Sequence, residues 1–378
     1  MSIAQEESIW DLLIACTSLD IITSIKALIA KRYKVKDMGE MNWYLGMRYL
    51  RCQQTGTIFL NQSKYAQDIL NKFTGYFKES SYKNTPMMAN SELPLWSEEE
   101  ESKLSPDHLS LVKKFPYRQV VGSLLYLAVW TRPDLQYAII SVAKHSHRPT
   151  IQAVRACQWL LEYLNGSKDR GLEFHKGLIE LSAFCDASFG DDTETGRSTL
   201  GHIIYLVTSP ISWASFLANT TVQLSTAEAE YVSASHCAKV LCAHNNLLTE
   251  LGYPQSRIMM YEDNQAAITI ALQRASTHRT RHILIQIHHI RALIVDNFIE
   301  MVHINTILQL GDAFTKPLGF QALEPHLDTL FGKPPTGRLQ KYIQTTLQLR
   351  RSGRSIISSQ PLVQYPTNTW KLYDNEGF

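Results

Sequence analysis

The stretch Leu181-Ser-Ala-Phe-Cys-Asp186 decides the fold of the C-terminal half of the chain. It is a short, mainly apolar run that ends on an acid, so we predict a β-strand over residues 179–186. The pattern of apolar and polar residues after this strand predicts a series of further elements. They are strands at 199–208 and 220–224, a helix at about 226–251, a strand at 258–262, helices at 264–272 and about 283–296, a strand at 298–304 and a last helix from Gly311. This order indicates an α/β fold with a mixed sheet and flanking helices.

The N-terminal half has a different texture. We predict a helix over 18–34, a hairpin over 43–61 and a helix over 63–74. A Pro-containing and acidic stretch then reads as a solvated linker, and residues 116–165 read as a helical block. The predicted division is 1–83, linker 84–115, helical block 116–170, sheet domain 171–332 and a poorly ordered basic tail 333–378.

Composition limits the classes of protein to which the chain can belong. The 378 residues are 44% hydrophobic, and their formal net charge is +2. That charge is too small to indicate a nucleic-acid partner by itself. The six cysteines contain no CxxC pair, which fits a reducing compartment and gives no support to a zinc ribbon. The apolar runs are too short to span a membrane, and two early glutamates argue against a secretory signal, so we expect an intracellular protein.

Four acids stand at or near the ends of predicted elements: Asp186, Glu230, Asp263 and Asp312. Carboxylates on the strand ends of one sheet can converge, and converging carboxylates repel each other unless cations lie between them. Mg²⁺ prefers such oxygen ligands, and a pair of ions suits phosphodiester hydrolysis. From spacing alone, however, ordinary surface charge is the favoured interpretation, because four acids among 35 prove nothing.

Two glutamates compete for the position on the long helix. Glu228 and Glu230 are two residues apart and therefore point about 200° away from each other. Glu230 shares a face with Ala234 and Cys237, which we expect to be buried. Glu228 shares a face with Ser235 and Lys239, which we expect to be exposed, so Glu230 is the better candidate ligand.

Long motifs in the same order as these elements resemble the copia-type retrotransposon Pol polyproteins. Asp37-Met-Gly-Glu-Met-Asn-Trp-Tyr-Leu-Gly46 is similar to the family's DLGELxYFLG stretch. Tyr117-Arg-Gln-Val-Val-Gly-Ser-Leu-Leu-Tyr-Leu127 with Thr131-Arg-Pro-Asp134 is similar to its YRxxVGxLxYL…TRPD block. Further blocks resemble the ribonuclease H domain of the family: Phe184-Cys-Asp-Ala-Ser188, Ser225-Thr-Ala-Glu-Ala-Glu-Tyr231, Asp263-Asn-Gln265 and Phe314-Thr-Lys-Pro-Leu318.

The resemblance implies the end of a reverse transcriptase palm, a helical thumb-like block and a ribonuclease H-like domain. It implies that Asp186, Glu230, Asp263 and Asp312 bind two Mg²⁺ ions, or Mn²⁺, and catalyse hydrolysis of the RNA strand of an RNA–DNA hybrid. RNA–DNA hybrid or other nucleic acid is therefore the expected partner, with no role for a membrane. The candidates for substrate binding are Arg281, His282 and His288, although the two histidines could instead pack structurally.

The sequence also departs from the family pattern. Ser8-Ile-Trp-Asp-Leu-Leu-Ile14 keeps only Asp11 of a YVDD-like polymerase turn, so reverse transcriptase activity is not expected. After Trp213 the chain reads Ala-Ser-Phe-Leu-Ala-Asn where the family has a basic run, and this loses cations that could hold phosphates. The alternative reading is therefore a catalytically inactive retroelement remnant that at most binds nucleic acid.

Overall fold

The N-terminal segment begins with a helix that has no buried residue. The computed structural model describes residues 12–89, 91, 93–218, 222–272 and 283–351. Helix α1 (Leu19–Ala30) is rich in apolar residues, but Leu19 and Leu28 are both exposed. The helix also forms an ion pair with the segment that follows it, in which the Lys26 ammonium lies 2.8 Å from the Asp37 carboxylate. Tertiary burial therefore contributes little to this helix.

A four-stranded antiparallel sheet follows α1. Its strands β1 (Trp43–Tyr44), β2 (Met47–Arg51) and β3 (Ile58–Asn61) confirm the predicted hairpin. The fourth strand, β4 (Gly171–Phe174), comes from much later in the chain and pairs with β3, with Ile58 opposite Phe174. The strand at the start of the predicted 171–332 segment thus completes the N-terminal sheet.

The helical block and the preceding helix α2 (Ser63–Lys72) pack around one apolar core. The prediction of a solvated linker over 84–115 is wrong for two segments, α3 (Glu98–Ser102) and α4 (Pro106–Lys114), which are helical. Ser105 caps α4 by accepting a hydrogen bond from the His108 amide, and Pro106 occupies the first helical turn. The helices of this region are α2 (Ser63–Lys72), α3 (Glu98–Ser102), α4 (Pro106–Lys114), α5 (Tyr117–Trp130), α6 (Gln136–Ala143) and α7 (Ile151–Ser167).

A buried ion pair holds the corner after α5. The Arg132 guanidinium donates to both carboxylate oxygens of Asp134 at 2.8 Å. It also donates to the Ser167 carbonyl at 3.0 Å and to the Ser167 hydroxyl at 2.8 Å. The Tyr163 hydroxyl donates to Asp134 at 2.7 Å. Because Arg132 and Asp134 are only 1% and 2% exposed, each charge depends on these partners.

A five-stranded mixed sheet forms the centre of the C-terminal half. Its strands are β5 (Leu181–Ser188), β6 (Thr199–Leu206), β7 (Ser209–Leu217), β8 (Ile258–Glu262) and β9 (Ile299–His303), in the spatial order β7-β6-β5-β8-β9. Strand β6 is antiparallel to both of its neighbours, β7 and β5, whereas β8 is parallel to β5 and β9 is parallel to β8. The predicted strand at 220–224 is wrong, since residues 222–224 are not in a strand and 220–221 lie outside the described residues.

Helices cover both faces of this sheet, so the predicted α/β class is confirmed. Alternate residues of β5 divide between two cores, as period-two geometry requires. Leu181, Ala183 and Cys185 pack under α8 (Thr226–Glu250), α9 (Gln265–Leu272) and α10 (Leu284–Val295). Phe184 packs on the other face, under α11 (Phe320–Leu330) and α12 (Gly337–Arg351).

Helix α12 corrects the prediction of a poorly ordered tail. Leu339 and Thr346 are buried, and Tyr342, Ile343 and Leu347 pack against the second core at helical spacing. Residues 352–378 lie outside the described residues. Among the helices that the structure describes, none is both long enough and apolar enough to cross a membrane.

Direct contacts join the two halves. The Trp213 indole donates to the Ala128 carbonyl at 2.8 Å, and the Glu173 amide donates to the Phe331 carbonyl at 2.7 Å. The Arg132 guanidinium lies 5.9 Å from the centroid of the Phe331 ring. The predicted domain boundary at residue 171 therefore lies within a network of hydrogen bonds and packed side chains that joins the two halves.

Candidate metal centre

Three carboxylates converge at one edge of the five-stranded sheet. Asp186 lies near the carboxyl end of β5, and Asp263 directly follows β8, which is its parallel neighbour. Parallel neighbours end at the same edge, so these two side chains meet there. Glu230 comes from the second turn of α8, which packs on β5. One carboxylate oxygen of each acid lies within 4.8 Å of the other two.

Burial makes this cluster unfavourable without a cation. Asp186 is fully buried and Glu230 is 4% exposed. Among the described residues, Asp186 Oδ1 and Glu230 Oε2 have no hydrogen-bond partner. Burial raises the pKa of Glu230 to about 12, and the neighbouring acids act in the same direction. Unpartnered buried oxygens of this kind fit a divalent cation, which takes hard oxygen ligands and favours ionised carboxylates.

The fourth predicted acid, Asp312, stands beside this trio and does not belong to it. It lies in the 3₁₀ turn Leu310–Phe314, which packs against β5 and β6. The Lys316 ammonium lies 2.8 Å from Asp312 Oδ1 and 3.3 Å from Asp186 Oδ2. Burial and the Asp186 charge raise the pKa of Asp312 to about 7, although Lys316 opposes this shift. Asp186 is thus common to the trio and to a lysine-bridged pair.

Two hydroxyl groups, one three residues after Asp312 and one on α8, complete the hydrogen bonds of Asp186. The Thr315 hydroxyl donates to Asp186 Oδ2, the oxygen that Lys316 also contacts. The Ser233 hydroxyl on α8 donates to the Asp186 carbonyl at 2.8 Å. Asp186 Oδ2 therefore has partners among the described residues, whereas Oδ1 has none.

Gln309 holds the Asp312 turn against β5. Its fully buried side chain donates to the Cys185 carbonyl at 3.0 Å and accepts from the Gly311 amide at 3.1 Å. The backbone approaches so closely here that a Cβ on Gly311 would lie 2.8 Å from Asp186 Cβ. A residue at 311 without a side chain therefore lets the turn reach the strand.

These supporting residues were not predicted from the sequence. All four lie within four residues of Asp312: Gln309 and Gly311 precede it, and Thr315 and Lys316 follow it in the Phe314–Leu318 motif. Their closeness in sequence to a candidate ligand was the one local feature that could have indicated them. A fifth acid, Glu262, directly precedes Asp263 and is fully buried. It accepts from the Asn264 amide at 3.0 Å and from the Cys185 thiol at 3.5 Å, and burial raises its pKa well above the usual range.

Glu230 lies on a buried face as predicted, but the prediction that Glu228 is exposed is wrong. Glu228 and Ser235 are buried, not exposed. Glu228 instead helps to cap the helix: its carboxylate accepts from the Leu224 amide at 2.8 Å, and the Ser225 hydroxyl accepts from the Glu228 amide. The two glutamates thus have separate tasks, one at the helix end and one at the carboxylate trio.

Comparison with known proteins identifies the family. The chain is 30% identical over 309 residues to the retrovirus-related Pol polyprotein from transposon TNT 1-94 of Nicotiana tabacum, covering 81% of this chain and 22% of the relative. It is 34% identical over 316 residues to that from transposon RE2 of Arabidopsis thaliana, covering 83% and 21%. An uncharacterized mitochondrial protein of Arabidopsis thaliana is 31% identical over 226 residues, which is 58% of this chain and 85% of the relative.

The chain belongs to the copia-type retrotransposon Pol polyproteins. It spans about a fifth of the length of the transposon polyproteins that it matches. No protein-family model matches the chain.

Solved structures give weaker likenesses to this Pol chain. A ribonuclease H1 isolated from compost gives a TM-score of 0.29 at 15% identity, covering 40% of the Pol chain and 99% of the other chain. A foamy viral protease-reverse transcriptase in complex with double-stranded DNA gives 0.39 at 15% identity, covering 76% and 51%. Because these scores are low, the fold of the Pol chain is assigned from its own strand order.

The predicted substrate-binding residues of the Pol chain are only partly described. Arg281 and His282 lie outside the described residues, as does Asp11 of the polymerase turn. His288 is on α10 with an exposed side chain, so it does not pack in the core. The trio of carboxylates does not include it.

The stretch in which the Pol chain lacks the family's basic run forms part of β7. Phe216 lies there, and its ring centroid is 4.3 Å from that of His236 on α8. A contact between these two rings therefore occupies this part of β7.

Proposed function

We propose that the Pol chain is a ribonuclease H-type endonuclease that hydrolyses the RNA strand of an RNA–DNA hybrid with the help of Mg²⁺. The single observation that carries this proposal is the convergence of Asp186, Glu230 and Asp263, with two buried carboxylate oxygens that lack hydrogen-bond partners among the described residues. Membership of the copia-type Pol family supports the same reaction class.

The residues of the chain would divide the work at this edge of the sheet. Asp186, Glu230 and Asp263 would hold one ion, and Asp186 with Asp312 would hold the second ion that the resemblance implies. Such ions supply an activated water and stabilise the charge that develops on the phosphate. Thr315 and Ser233 fix Asp186 in position from its side chain and its carbonyl. Hydrolysis of the phosphodiester would leave 5′-phosphate and 3′-hydroxyl ends.

Selection of RNA would come from contacts with 2′-hydroxyl groups across the minor groove, since DNA lacks this group. Exposed His288 is available for nucleic acid, and we propose it as a substrate contact together with Arg281 and His282. We propose that the segment 171–332 carries the chemistry.

The test is cleavage of an end-labelled RNA–DNA hybrid by the full chain, with Mg²⁺, with Mn²⁺ and with a chelator. Duplex DNA and duplex RNA of the same sequence serve as substrate controls. Asp186→Asn is the loss-of-function variant, and Asp328→Asn is its matched control because Asp328 is an exposed acid in the same half of the chain. The full chain is used because Trp213 and Phe331 bind the N-terminal half.

We expect metal-dependent cutting of the RNA strand alone, abolished in Asp186→Asn and retained in Asp328→Asn. Absence of cutting by a folded chain, judged by circular dichroism, would reject the enzyme. Hybrid binding without cutting would then favour the inactive nucleic-acid-binding remnant.

A further inference from the structure

The Lys316 ammonium occupies the place where a second divalent ion would have to bind. It lies 2.8 Å from Asp312 Oδ1 and 3.3 Å from Asp186 Oδ2. These oxygens belong to the two acids that would share that ion. Mg²⁺ binds oxygen at about 2.0–2.1 Å and carries two charges, so an ammonium at this distance and the ion exclude each other by both volume and charge.

The two oxygens of Asp186 are therefore unequal. Oδ2 receives the Thr315 hydroxyl and the Lys316 ammonium, whereas Oδ1 is buried without a hydrogen-bond partner among the described residues. Glu230, in the same trio, also has one unpartnered buried oxygen. The geometry thus favours binding of a first ion at the trio, while Lys316 neutralises the remaining pair.

Lys316 is placed so that it can leave. Its side chain is 37% exposed, compared with 1% for Asp186 and 15% for Asp312. Because this ammonium is more than a third exposed, water can solvate it when it leaves the two carboxylates. A flexible four-carbon stem lets the charge move without a change in the backbone.

We propose that Lys316 is an intramolecular competitor for the second divalent ion. The free chain binds one ion at Asp186, Glu230 and Asp263, and a second ion enters between Asp186 and Asp312 only when Lys316 withdraws. This inference rests on the proposed function to the extent that it takes the same four acids as metal ligands.

The test is a titration of the full chain with Mn²⁺ alone, with no nucleic acid, in which free Mn²⁺ is counted by electron paramagnetic resonance. The variants are Lys316→Met, which keeps the length without the charge, and Lys316→Gln, in case the first does not fold. Lys333→Met is the matched control, since its ammonium lies 2.8 Å from a single acid, Asp328, and is exposed.

We expect one tight site in the wild-type chain and in Lys333→Met. In Lys316→Met and Lys316→Gln we expect a second site whose dissociation constant falls roughly tenfold, which is the size of effect that 1.4 kcal/mol produces. Equal affinity for the second ion in all four proteins would overturn the proposal, and so would weaker binding in the Lys316 variants. Binding at the first site reports separately on the trio, so failure of the proposed function is distinguished from failure of this inference.

Discussion

Replacement of Arg132 by methionine should destabilise the protein severely. The substitution removes four hydrogen bonds and leaves Asp134 buried without its principal counter-charge. Breaking a buried pair from one side costs about 3–5 kcal/mol. We expect the lower end, about 3 kcal/mol, because the Tyr163 hydroxyl still donates to Asp134 and the Arg170 guanidinium lies 3.8 Å away.

The assay is urea unfolding of wild type and Arg132→Met, followed by far-ultraviolet circular dichroism. With a slope of about 2–3 kcal/mol per molar urea, a loss of 3 kcal/mol lowers the midpoint by about 1 M or more. Lys26→Met is the control. It breaks an exposed ion pair of equal length with Asp37 and should change the unfolding free energy by less than about 0.5 kcal/mol.

A double variant separates the charge from the packing. In Arg132→Met/Asp134→Leu neither charge remains, so the double variant should be more stable than Arg132→Met. A loss below about 1 kcal/mol in Arg132→Met would refute the claim that this pair is desolvated and structurally required. A double variant less stable than Arg132→Met would refute the claim that the unpaired Asp134 charge is the cause.

Three further predictions follow from single contacts. Gly311→Ala should cost about 1–3 kcal/mol by overpacking against Asp186, measured by urea unfolding, whereas a Cβ on Gly122, inside α5, meets nothing within 4 Å, so Gly122→Ala should not destabilise the protein. Ser225→Ala removes the cap of α8 and should cost about 0.5–2 kcal/mol in the same assay. Burial would raise the pKa of Asp134, but Arg132 holds it below its ordinary value. The pair's stabilisation is therefore present above about pH 4 and lost as pH falls through the lowered pKa, so wild type and Arg132→Met should converge in acid urea titrations.

Each of these predictions has a clear contrary result. Equal stability of the two glycine variants would mean that the approach of the Asp312 turn to β5 is not tight. An unchanged midpoint in Ser225→Ala would mean that the capping hydrogen bond is replaced by water. A gap between wild type and Arg132→Met that stays constant from neutral to acid pH would mean that the pKa of Asp134 is not coupled to folding.

The strand that carries Asp186 could be predicted because its apolar run and its terminal acid are both local features. The same is true of Asp263 after β8. Strand β7 was misplaced because it contains Pro210 and Ala214, two residue types that are depleted in strands, and three serines that weaken its apolar pattern. It is an edge strand that starts near the proline and forms by pairing with β6, and this tertiary pairing leaves little signal in the sequence.

The sequence also did not show which faces of the helices are buried. The angle of about 200° between their side chains correctly places Glu228 and Glu230 on different faces of α8. The helical period alone, however, does not reveal what covers the face that carries Glu228. Ser235 is 1% exposed because other parts of the fold enclose that face. The lysine bridge to Asp312 was likewise beyond sequence reasoning, since it depends on how the turn containing Leu310–Phe314 packs against β5.

The pairing of β3 with β4 sets an order of events during synthesis. Strand β3 ends at Asn61, but its partner begins at Gly171, so the ribosome must complete the whole helical block before the sheet can close. At elongation rates of about 5–20 residues per second, this interval is on the order of ten seconds. Throughout it the nascent chain presents an open strand edge to its surroundings, where a chaperone or a neighbouring chain can reach it first.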